Sequence, residues 1–134
     1  MDCPDCGAAT VAFRVPPELR EYAPGGDASH AEYAAICPDC LRLESTTEAP
    51  TTPDFSAILD SFPDGEAGSA TALGVGLLVD SLALNREAVA ACFEYAGDRG
   101  VDPWLVLERL AAAGSVQPDA DLDKARTQLE QLLD

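Results

Sequence analysis

The rhythm of hydrophobic and polar positions changes near residue 50. Before that point the apolar residues fall in short β-branched or alternating runs: ATVAFRV (9–15), HAEYAAI (30–36) and LRLEST (41–46). These predict three short strands, with Pro24, Gly25 and Gly26 breaking the chain into a loop between the first two. Beyond residue 50 the period becomes helical. Phe55, Ile58, Leu59 and Phe62 recur at i, i+3, i+4 and i+7 behind Thr52-Pro53-Asp54, which predicts a capped, short amphipathic helix ending at PDG.

A longer helix is expected from about Glu66 to Leu84, apolar on most of its surface. Asn85 is then placed to cap the next, in which Val89, Cys92, Phe93 and Ala96 share a face. Asp102-Pro103 repeats the cap-plus-proline signature before a helix with Trp104, Leu107 and Ala111 on one side and Gly114 as its stop. The last segment, DLDKARTQLEQLL, strings Leu122, Leu129, Leu132 and Leu133 along one stripe, with aspartates at its N-terminus, where the helix dipole favours them. Between the two regimes, TTEAPTTPD (46–54) has no apolar period. The expected fold is α+β: an N-terminal unit of short antiparallel strands over residues 1–48 and a small helical bundle over 53–134.

The chemistry lies in the first unit. CPDC occurs twice, as Cys3-x2-Cys6 and Cys37-x2-Cys40, thirty residues apart, and uses four of the 5 cysteines. Two C-x2-C turns brought together by a hairpin supply the four thiolates of a tetrahedral ion, so Cys3, Cys6, Cys37 and Cys40 are the expected ligands of one Zn2+ per chain. Gly7 follows the first pair. Leu41 takes that place after the second, a residue less permissive in its backbone angles. Size points the same way, because a three-stranded unit of about 45 residues buries too little apolar surface to fold without a staple.

Two other chemistries use such cysteines. A rubredoxin-like iron site also takes four, but its knuckles read CPxCG on both sides and rest on an aromatic core, whereas Leu41 breaks the second and aromatics are 6% of the chain. A redox C-x-x-C needs a strand before it, and Cys3 leaves no room for one. Taken together, the N-terminal CPDCG, the Pro-Gly-Gly loop, the second CPDC, the acidic, lysine-poor composition and the helical tail resemble a family of uncharacterised haloarchaeal CPxCG-type zinc-ribbon proteins. That resemblance implies a zinc-binding protein of unknown role and the same four ligands.

Charge narrows the partners. The chain has 24 acidic and 8 basic residues, a net charge of -16, and Lys124 is its one lysine. Acidic side chains spread along the whole length suit a salt-rich cytoplasm, where screening relieves their repulsion. The first fifty residues carry 9 acidic and 3 basic side chains, and only Arg14, Arg20 and Arg42 could meet phosphates there. A nucleic-acid-associated factor is therefore the second reading, and a protein partner the first. No signal peptide precedes Cys3, and TALGVGLLVDSLAL is too short and too interrupted by Asp80 for a spanning helix, so a cytoplasmic protein is expected.

Cys92, on an apolar face, reads as a buried hydrophobe, and His30, the only histidine, as a loop residue or a donor beside the metal. The glycines of LGVGLL lie in a helical pattern and make no phosphate loop. No catalytic residue emerges. The expected protein is a non-enzymatic interaction or regulatory module.

Overall fold

The computed structural model of the chain describes residues 3, 7–22, 32–46, 48–113 and 122–133. Three strands form where the alternating runs predict them: β1 (Val11–Arg14), β2 (Tyr33–Ile36) and β3 (Leu43–Thr46), an antiparallel sheet in the order β1-β2-β3. Val11 pairs with Ile36 and Ile36 with Leu43, so the start of β1, the end of β2 and the start of β3 lie side by side at one end. After β1 the chain turns through a 3-10 helix (Pro17–Tyr22) that the patterning does not reveal.

The predicted helix from Phe55 to Phe62 is instead a single 3-10 turn, Phe55–Ala57, capped by Asp54 rather than Thr52. The expected apolar residues are nevertheless buried: Phe55, Ile58 and Phe62 enter the core. Phe55 stacks obliquely between Phe13 at 5.8 Å and Phe62 at 5.4 Å. The aromatic contacts satisfy these side chains without further helical turns.

The longest element, α1 (Gly65–Asp98), is broken at Ser81, whose φ of -167° and ψ of 108° are those of extended backbone. Its two limbs run antiparallel: Tyr95 donates to Glu66 at 2.5 Å near one end, and Asn85 to the Leu77 carbonyl at 3.0 Å near the other. The break lies four residues before the predicted cap, and the two polar residues exchange roles. Ser81 Oγ accepts the Leu84 amide at 3.3 Å, as an N-cap does, while the Asn85 side chain serves one of the last carbonyls of the first limb.

Close approach sets where the first limb lies. A Cβ on Gly76 would come within 2.2 Å of Leu43, and one on Gly74 within 2.8 Å of Phe93. The two glycines let the limb press on β3 on one side and on its own partner limb on the other.

Asp102 caps α2 (Pro103–Ala112) as predicted, accepting the amides of Trp104 and Leu105 at 3.1 and 3.3 Å. The buried face of α2 is rotated from the expected one: Val106, Leu107 and Leu110 are buried, while Trp104 and Ala111 are half-buried. Gly114, the predicted stop, lies outside the described residues. In α3 (Leu122–Leu133), Ala125 and Leu129 are buried against α1 and α2. A single apolar core runs from Phe13 and Ile36 of the sheet through Leu73, Leu78 and Val89 of α1 to Leu107 and Leu129. The architecture is α+β, a three-stranded antiparallel sheet followed by helices.

Candidate metal centre

Cys3 and the second CPDC segment sit at the same end of the sheet because of its register. Cys37 follows the last residue of β2 directly, and the first segment leads through Ala8 into β1. The backbone hydrogen bonds of Cys3 and Cys37 repeat one pattern thirty-four positions apart. In the first, the Cys3 amide donates to the Ala8 carbonyl at 2.8 Å and the Gly7 amide to the Cys3 carbonyl at 2.8 Å. In the second, Cys37 donates to Arg42 and Leu41 to Cys37, both at 2.9 Å.

The residue closing each turn is left-handed: φ is 74° at Gly7 and 65° at Leu41. Leucine therefore adopts the glycine conformation, and its side chain is fully buried in the main core. The sequence flags Leu41 as a departure, and the structure shows the same turn made in spite of it, held by packing.

Cys3, Cys37 and Cys40 come together with their sulfurs within 4.8 Å of one another, and Cys3 Sγ lies 3.8 Å from Cys40 Sγ. A disulfide would require about 2.05 Å. All three are buried and form a small apolar cluster with Ala8, separate from the main core. Cys6, the fourth expected ligand, lies outside the described residues, as does His30. Three converging thiols screened from solvent could hold a metal ion. They are the only such group of cysteine, histidine and acidic residues among the described residues.

A family model spans residues 2–133, almost the whole chain. The chain belongs to the family of unknown function DUF6276. No curated protein and no solved structure matches it. For this DUF6276 member the site must therefore be read from its own chemistry.

The remaining candidates fall outside the centre. Cys92 is buried on the second limb of α1, its Cβ 3.0 Å from where a Cβ on Gly74 would stand, and burial pushes its thiol up to about 12. It stays protonated at neutral pH and behaves as a small hydrophobe. Asp80 is exposed at the end of the first limb, accepting from Asn85 at 3.4 Å. The glycines of LGVGLL are packing residues, as the contacts of Gly74 and Gly76 require. Among the described residues no helix is long and apolar enough to cross a membrane.

Proposed function

We propose that Cys3, Cys6, Cys37 and Cys40 hold one zinc ion per chain in a closed structural site, and that the protein is a non-enzymatic interaction module built on it. The observation that carries this reading is the spacing of the sulfurs. A tetrahedron with metal–sulfur bonds of about 2.3 Å has edges of about 3.8 Å, and the Cys3–Cys40 separation is 3.8 Å. Cys6 shares a C-x2-C segment with Cys3, as Cys37 does with Cys40, and would complete the set.

Further support comes from the twin left-handed turns and from the likeness of CPDCG and CPDC to haloarchaeal CPxCG-type zinc ribbons. Four thiolates leave the metal no open position, which favours a structural over a catalytic role. When bound, the ion would tie the two turns to each other and fix the end of the sheet against which the first limb of α1 packs. A net charge of -16 favours a protein partner over nucleic acid.

Native mass spectrometry tests the site, with the expected outcome of one zinc and four displaced protons per chain. Cys37→Ser abolishes metal binding and unfolds the sheet, whereas Cys92→Ser leaves the metal content unchanged. A folded, metal-free protein, or the red colour of a ferric tetrathiolate, would overturn the proposal.

A further inference from the structure

Arg99 lies over the ring of Tyr95 at 3.4 Å from its centre, and the hydroxyl of that ring is bonded to the carboxylate of Glu66. There a guanidinium rests on an aromatic face whose hydroxyl is tied to a carboxylate. A second ring with carboxylates, Trp104 with Glu94 and Asp102, has no arginine or lysine among the described residues that line its groove. Between the second limb of α1 and the start of α2 runs a groove of about 500 Å3, lined by Ala90, Phe93, Glu94, Val101, Asp102 and Trp104 among others.

Trp104 meets Phe93 edge-on at 5.6 Å and 80° and is half-buried, so it keeps part of its surface open. Its place is set by the Asp102 cap, which holds the first turn of α2. Glu94 and Asp102 are exposed at the rim, and Gly97 adds no side chain to obstruct it. Among the described residues no arginine or lysine lines the groove, and Arg99, the nearest cation in sequence, is engaged on Tyr95.

We infer that this groove receives an arginine from a basic segment of a protein partner. The aliphatic stem would lie along Ala90 and Val101, with the guanidinium against Trp104 and within reach of Glu94. The inference rests on the interaction-module reading and names the chemistry of the partner. Charge complementarity commits it to a basic segment, because a chain of net charge -16 draws cations and this groove joins an apolar wall to an acidic rim.

Trp104 is the only tryptophan, so its emission reports this site alone. The metal-loaded protein is titrated with a blocked octapeptide of alternating arginine and alanine, and with the same peptide bearing glutamate for arginine. The ionic strength is about 0.15 M, where screening acts over about 8 Å. The expected result is a saturable change in Trp104 emission with the arginine peptide only. Glu94→Gln should weaken it by up to about fivefold, the upper end for an exposed ion pair, while Glu44→Gln, on the sheet and outside the groove, should leave it nearly unchanged.

Three results would overturn the proposal: no response to the arginine peptide, the same response to the glutamate peptide, or no greater weakening by Glu94→Gln than by Glu44→Gln. Metal content measured on the same samples separates this failure from failure of the metal site.

Discussion

At the scale of single residues, Leu41 carries two opposed energies. A left-handed backbone costs a residue with a Cβ about 1–2 kcal/mol, and burying a leucine side chain contributes about 1.5–3 kcal/mol. With φ at 65° and the side chain fully buried, packing outweighs strain. Leu41→Ala should therefore destabilise by about 2–5 kcal/mol, because it leaves a cavity and keeps the strain. Leu41→Gly should be no worse, although glycine usually costs about 0.5–1 kcal/mol more than alanine within regular structure. Urea unfolding of the metal-loaded variants measures both; a glycine variant clearly less stable than the alanine one would show that the backbone is unstrained. The convergence of Cys3 with Cys37 and Cys40 was legible in the sequence because the C-x2-C signal is local. The role of Leu41 was not, since what holds it left-handed is a core assembled from distant segments.

At the scale of elements, a break in α1 was legible, expected at Asn85, but its position at Ser81 was not. Apolar periodicity runs through it without a proline, and Asn85 is as good a cap by type as Ser81. Contacts between the limbs decide the matter: Gly74 admits Phe93, and Asn85 reaches back to Leu77. The face of Val89, Cys92, Phe93 and Ala96 was legible and is buried as expected. For α2, the proline and cap marked its start, but its buried face turned toward Val106 and Leu110 because neighbours lie on that side.

The far end of the paired limbs gives a pH dependence. Burial, and then the bond to the Glu66 carboxylate, raise the Tyr95 hydroxyl to about 12 from an ordinary 10.0. The folded state thus holds this proton more tightly than the unfolded one. Its contribution is complete below pH 10.0 and lost as pH rises toward about 12. Melting temperature followed across that window should fall less steeply for Tyr95→Phe than for the natural chain, and parallel curves would exclude the link.

At the scale of the whole molecule, the apolar patterning foretold the α+β class, and the excess of acid foretells a response to salt. Repulsion among solvated carboxylates reaches about 10 Å at 0.1 M salt and about 3 Å at 1 M. Stability should accordingly rise with potassium chloride into the molar range, and more for the helices than for the sheet, where the proposed metal would contribute folding energy of its own. Thermal melts by circular dichroism at about 0.1 M and about 2 M salt, with bound metal held constant, check this; equal melting temperatures would mean that the acidic side chains are already neutralised within the fold. What composition could not convey is the continuity of the core from Phe13 to Leu129, because residues so far apart in sequence meet only through tertiary packing. Size follows from one residue. Unbroken, the 34 residues of α1 would make a rod of about 51 Å, longer than the roughly 36 Å diameter expected of a globule of this chain length. Folded at Ser81, the same residues span about 25 Å, and both ends of the element return to one side of the molecule. A single extended backbone position thereby decides whether this chain is a ball or a ball with a projecting shaft.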